Sequence, residues 1–168
     1  MKSLCILRHA KASWEEAVAD IDRELKPKGR RQCEKMSAHL AEIWAAPERV
    51  LCSPSRRTRD TLLPFLKAWG LDAAGVLFEE GLYLASEADL RARLAALPEE
   101  VSRVLLLGHN PGLTDLANAL TGPDVYFDNI RPCGVVILEA ACSSTSWADL
   151  VAGKMQVVHA MRPRELED

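Results

Sequence analysis

Leu4-Cys5-Ile6-Leu7 is an apolar run that stops abruptly at Arg8-His9. Short apolar runs bounded by polar residues predict strands buried on both faces, as in a parallel sheet covered by helices. Arg49-Val50-Leu51-Cys52, ending at Ser53, and Val101 to Gly108, holding Val104-Leu105-Leu106-Leu107, repeat the pattern. A shorter strand is expected within Gly75 to Glu79, and two more over Gly134 to Glu139 and Lys154 to His159. The segments between change period. Cys33, Met36, Leu40 and Ile43 fall at helical spacing and predict a helix opening near Pro27 and running to about Trp44. Ser53 as N-cap and Pro54 at the first helical position predict a helix through Leu62, Phe65, Leu66 and Trp69. A third is expected over Glu87 to Leu97, and a fourth opens at Asn110-Pro111 and carries Leu113, Leu116, Ala117 and Leu120. Lys11 to Glu24 is read as a loop over the first strand end, Ala140 to Trp147 as a hairpin-like or irregular connection, and Arg162 to Asp168 as a loose tail. The pattern is that of an α/β chain with a mostly parallel but mixed sheet. With no repeat, low-complexity tract or linker, residues 1–168 are expected to form one domain.

Composition narrows the classes of function. A hydrophobic share of 48% excludes a disordered protein, and a net charge of -3 gives the whole molecule no pull toward nucleic acid or an anionic membrane. Attraction for anions must therefore be local. Five cysteines without a C-x-x-C pair suggest neither a disulfide framework nor a zinc site, and no stretch approaches transmembrane length. A reducing, cytoplasmic setting is expected, and the sequence leaves the oligomeric state open.

In open α/β sheets, ligands collect at the carboxyl ends of the strands. Three predicted strand ends there offer Arg8 and His9, Arg57, and His109 beside Asn110. Arg56 and Arg59 are read as a solvated basic face, His39 as a surface histidine and His159 as structural. If the three ends are neighbours, they build a cationic pocket suited to a phosphoryl group, which carries close to two negative charges and three acceptor oxygens. No Gly-x-x-x-x-Gly-Lys loop or magnesium-binding aspartate cluster is present, and no cofactor is expected. Without a metal, a side chain must supply the nucleophile. A neutral histidine serves when one ring nitrogen is tied by a hydrogen bond and the other faces phosphorus, and nearby cations help keep it neutral.

Leu7-Arg8-His9-Ala10, Ser53-Pro54-Ser55-Arg56-Arg57-Thr58-Arg59-Asp60-Thr61 and Gly108-His109-Asn110-Pro111, with Asp22-Arg23-Glu24-Leu25 and Gly29, resemble the histidine phosphatase superfamily and its SixA-type phosphohistidine phosphatase branch. The resemblance implies a three-layer α/β/α sandwich of the phosphoglycerate mutase-like type. It makes His9 the transiently phosphorylated nucleophile, with Arg8, Arg57, His109 and Asn110 around the phosphoryl oxygens. The superfamily usually has glycine where Ala10 stands, although alanine also occurs in the short branch. For the proton donor of larger members the counterpart is Glu80, with Glu79 and Asp22 as rivals. The implied substrate is a phosphohistidine on a protein, such as a histidine phosphotransfer domain. A small phosphate ester is the alternative. A non-catalytic phospho-binding module and a metal-dependent hydrolase are the readings from other classes.

Overall fold

The computed structural model describes residues 1–15, 17–142 and 146–166. Among these residues six strands form one mixed sheet: β1 (Ser3–Arg8), β2 (Arg49–Cys52), β3 (Val76–Phe78), β4 (Arg103–Gly108), β5 (Val135–Glu139) and β6 (Gln156–Met161). Their spatial order is β3-β2-β4-β1-β5-β6. The first four run parallel, while β5 is antiparallel to both β1 and β6. The ends of β2, β4 and β1 therefore lie side by side, which is the adjacency that the expected pocket requires.

The alternation of side chains along the buried strands sorts them between two cores. Leu4, Ile6, Val104, Leu106, Val136 and Leu138 point into one. Cys5, Leu7, Leu105, Leu107, Val135 and Ile137 point into the other. Helices α1 (Pro27–Ile43) and α2 (Arg56–Trp69) cover the second core with Cys33, Met36, Leu40, Leu62 and Phe65. On the opposite face α3 (Glu87–Ala95), α4 (Gly112–Leu120) and α5 (Trp147–Ala152) present Leu90, Leu94, Leu113, Leu116 and Trp147. This is the expected three-layer sandwich.

Four local expectations need correction. The cap of α2 is Ser55, whose hydroxyl accepts from Thr58 N–H, and not Ser53, whose hydroxyl is bonded to His109. Helix α4 begins at Gly112, not at Pro111, although Asn110 Oδ1 still accepts from Thr114 N–H. Between β5 and β6 the chain forms α5, capped by Ser146 and anchored by buried Trp147, whose indole N–H donates to Val101 O at 2.9 Å. Six residues are too few for a helical period to show in the sequence. The tail is not loose through Leu166: Pro163–Leu166 form a 3-10 turn, with Pro163 buried and Leu166 packed on the core. His159 lies within β6 and is exposed.

Gly112 admits the loop that precedes α3. A Cβ built there would lie 2.1 Å from the carbonyl oxygen of Ala85, a backbone atom with no freedom to step aside. Alanine is favoured over glycine in a helix by about 1 kcal/mol, but overpacking against backbone costs more. We expect Gly112→Ala to destabilise the protein by about 3 kcal/mol, read as a lower urea midpoint at unchanged slope. An unchanged midpoint would show that the two segments are not tightly apposed.

Candidate active site

The carboxyl ends of β1, β2 and β4 open into a cleft of about 390 Å³ lined by Arg8, His9, Arg57, His109 and Asn110, together with Asp20, Arg23 and residues of the rim. Arg8 ends β1, and the His9 N–H donates to Gly108 O at 3.2 Å, so the strand pairing continues into the site. Arg57 is the second residue of α2, where the Ser55 cap aims the first turn toward the strand ends. His109 follows the last residue of β4.

His9 is almost fully buried, and its Nδ1 lies 2.8 Å from the carbonyl oxygen of Ala10. A carbonyl only accepts, so Nδ1 carries the proton and Nε2 is left with its lone pair. Ala10 is itself fixed. Its N–H donates to Thr61 Oγ1 at 2.9 Å, and Thr61 in turn donates to Arg57 O at 2.7 Å. Helix α2 thus orients both the His9 ring, through Ala10, and the Arg57 guanidinium. With no exposed surface, Ala10 has space only for a small side chain.

The second histidine is in the opposite tautomer. Arg57 Nη2 stands 3.2 Å from His109 Nδ1 and can only donate, so the His109 proton sits on Nε2 and is given to Ser53 Oγ at 2.7 Å. The two rings lie 5.3 Å apart between centroids. Burial, then His109, Arg57 and Arg8, lower the His9 pKa to about 3 against a raising hydrogen bond to Ala10. Burial and Arg57 hold His109 at about 4, with Asp20 pulling the other way. Both imidazoles are neutral at physiological pH.

Asp20 is the carboxylate that sequence reasoning missed. Arg57 Nη1 donates to its backbone oxygen at 2.7 Å and Nη2 to Oδ2 at 3.1 Å. Arg23 Nη1 donates to Oδ1 at 3.0 Å, and Tyr83 donates its hydroxyl to Oδ2. Burial raises the Asp20 pKa, but the donors from Tyr83, Arg23 and Arg57 outweigh it and hold the carboxyl at about 2. Only three carboxylates in near succession, Asp20, Asp22 and Glu24, were visible in the sequence, with nothing in their spacing to single one out.

The anticipated donors lie elsewhere. Glu80 is exposed in a 3-10 turn and does not line the cleft, Glu79 is paired with Arg93 at 2.6 Å, and Asp22 faces an outer groove with Pro54 and Arg59. Asn110 lines the cleft, but both hydrogens of its amide go to Asn129 Oδ1 and Ile130 O, which leaves that nitrogen no donor for a ligand. Arg56 pairs with Glu24 and Asp60, and Arg59 lies over Phe78, as expected of a solvated face.

Among the described residues two buried donors lack partners: Arg8 Nε and Arg57 Nε make no hydrogen bond. An unsatisfied buried donor costs about 1–3 kcal/mol, more when charged. Both arginines line one cleft, where an anion would supply the missing acceptors. Among the described residues no three His, Cys, Asp or Glu side chains group as a metal ion would need, and no helix is long and apolar enough to cross a membrane.

The two neutral imidazoles and the ionised Asp20 also set the acid response. In an unfolded chain the imidazoles take protons near pH 6.5 and Asp20 near 3.9. In the fold they resist until about 3 and 4 for the histidines and about 2 for Asp20. The unfolded state therefore binds more protons through this range, so stability is fully present above pH 6.5 and is lost on acidification. We expect the urea midpoint to fall steadily from pH 7 to pH 4, by the equivalent of about 6 kcal/mol, about 3 from each imidazole, and the fall to be shallower in His9→Gln. A flat midpoint would show that the imidazoles protonate freely in the fold.

Residues 4–82 match the histidine phosphatase superfamily (branch 1). An uncharacterized protein of Mycobacterium tuberculosis is 30% identical over 94% of this chain and 100% of its own length. The assigned phosphohistidine phosphatase SixA from Nakamurella multipartitia superposes with a TM-score of 0.81 at 27% identity, over 96% of both chains. The protein histidine phosphatase SixA complexed with tungstate shares the fold with a TM-score of 0.82 at 23% identity, over 98% of this chain and 99% of the other. The chain that brings Arg8, His9, Arg57 and His109 to one cleft thus belongs to the histidine phosphatase superfamily, in its SixA-type group, and is a phosphatase of that fold.

Proposed function

We propose that this chain, acting as one domain, is a metal-independent phosphatase that uses His9 as nucleophile and removes phosphoryl groups from phosphohistidine on a protein. The observation that carries the reading is the tautomer of His9: Nδ1–H is tied to Ala10 O, and Nε2 is bare beside two arginines with unsatisfied donors. In the first step the Nε2 lone pair attacks phosphorus. The Nε2–P bond forms as the P–N bond of the substrate breaks. A phosphoimidazole protonated on its second nitrogen leaves as neutral imidazole. In the second step water attacks phosphorus, the P–O bond forms, the Nε2–P bond breaks, and both water protons depart on dihydrogen phosphate. Both steps balance without a proton from the enzyme. Arg8 and Arg57 hold the oxygens with charge and planar donor forks, His109 borders the same space, and Asp20 fixes Arg57.

The choice of substrate follows from the state of Asp20. An ester alkoxide needs a proton on departure. The carboxyl brought into the cleft is held ionised at about 2, and Glu80 does not line it. Imidazole leaves without such help. The test is phosphate release, in the presence of a chelator, from a phosphohistidine-bearing protein and from a panel of phosphate esters. Release from phosphohistidine that exceeds release from esters and survives chelation supports the reading. Release from esters alone would move the substrate to a small phosphate ester, and loss of all release on chelation would contradict the metal-free chemistry.

A further inference from the structure

The rim of the cleft carries features that phosphoryl transfer does not use. Lys11 and Lys26 are exposed residues of the cleft lining. The Lys26 N–H donates to Lys11 O at 2.9 Å, and the antiparallel bridge between Ala12 and Leu25 continues the pairing. Two ammonium-bearing residues are thus set across from each other on a short two-stranded rim. Gly29 of α1 permits this placement, since a Cβ there would fall 2.4 Å from the Lys11 carbonyl oxygen. Like charges opposed across paired strands are destabilising. Among the described residues neither lysine forms an ion pair with a carboxylate.

Beside the lysines stands Trp14, 79% exposed, with the Arg23 guanidinium 3.4 Å above its ring. Arg23 is buried and held by Ser13 O at 2.8 Å and by Asp20, so the indole is anchored from beneath while most of its surface meets solvent. A fixed aromatic with its surface open is a contact residue in search of a partner. Charge says what kind. Among the described residues the cleft is lined by Arg8, Lys11, Arg23, Lys26 and Arg57 against the one carboxylate of Asp20, in a chain of net charge -3. A phosphoryl group, with close to two negative charges, leaves the two rim lysines uncompensated.

We propose that Lys11, Lys26 and Trp14 dock the polypeptide around the phosphorylated histidine and select acidic residues flanking it. The proposal rests on the phosphohistidine reading and names the partner's chemistry: an acidic segment whose carboxylates meet the lysines and whose apolar surface covers the indole. The test uses two phosphohistidine peptides of equal length, one flanked by glutamates and one by lysines, with phosphoramidate as a substrate that has no flanks. The intact protein should favour the acidic peptide by about tenfold in kcat/KM at low salt, and the preference should fade as salt is added. Lys11→Glu combined with Lys26→Glu should invert the preference, and Trp14→Ala should raise KM for the acidic peptide with kcat retained. Equal rates on the two peptides, or a preference that survives the double charge reversal, would overturn the docking proposal while leaving the phosphohistidine reading in place. An effect of Trp14→Ala confined to an aromatic ester such as p-nitrophenyl phosphate would make the indole a platform for a flat leaving group, and would also overturn it. If esters react but neither peptide nor phosphoramidate does, the phosphohistidine reading itself falls, and the docking proposal with it.

Discussion

His9→Ala is expected to reduce turnover by about 10⁴-fold or more while the protein stays folded, because loss of a nucleophile removes the whole covalent route and not one contact within it. The fold should survive because the ring sits beyond the last residue of β1, on the wall of a cleft that water can enter, and contributes to neither apolar core. Its backbone bonds, from His9 N–H to Gly108 O and from Cys133 N–H to His9 O, do not depend on the side chain. Stability at pH 7 should therefore change by no more than about 1 kcal/mol. Circular dichroism and a urea melt establish the fold, and phosphate release establishes the loss. A folded His9→Ala protein with turnover near the original would contradict the nucleophile.

Arg57→Ala has the second largest expected effect, a fall in kcat/KM of about 10²–10³-fold. Arg57 is 2% exposed, and its guanidinium meets three groups: the backbone of Asp20, its carboxylate and His109 Nδ1. Removing it takes charge from the phosphoryl oxygens and leaves Asp20 with Arg23 as its remaining cation. Arg57→Lys should recover little of the loss, since a single ammonium cannot serve Asp20, His109 and an anion at once with the geometry of a fork. Inhibition by the product, inorganic phosphate, should weaken in parallel with kcat/KM. Full activity in Arg57→Lys would show that charge alone, without the fork, is what the site needs.

The parts legible in the sequence were those fixed by local rules. Strand ends at Arg8, Cys52 and Gly108 followed from where apolar runs stop, and α1 followed from the spacing of Cys33, Met36 and Leu40. The adjacency of β2, β4 and β1 is a long-range property, and the expected pocket was conditional on it. Asp20 and Tyr83 are 63 residues apart and meet only because the first loop folds back over the strand ends. No periodicity marks such a contact. Ser53 illustrates competition between local and tertiary bonds: a cap by sequence, its hydroxyl instead accepts from His109, and Ser55 takes the cap. Glu80 is missed for a related reason: its place in the loop before the third motif matches the donor of larger members, but place in the chain does not carry its carboxylate into the cleft.

A phosphoryl group carried by His9 during turnover should be trapped by rapid quenching of a reaction with phosphoramidate, followed by mass spectrometry at alkaline pH. One phosphoryl increment is expected on the peptide containing His9, formed and lost at rates compatible with turnover and missing from His9→Ala. A phosphoryl group found on His109 instead, or steady turnover with none on either histidine, would contradict it.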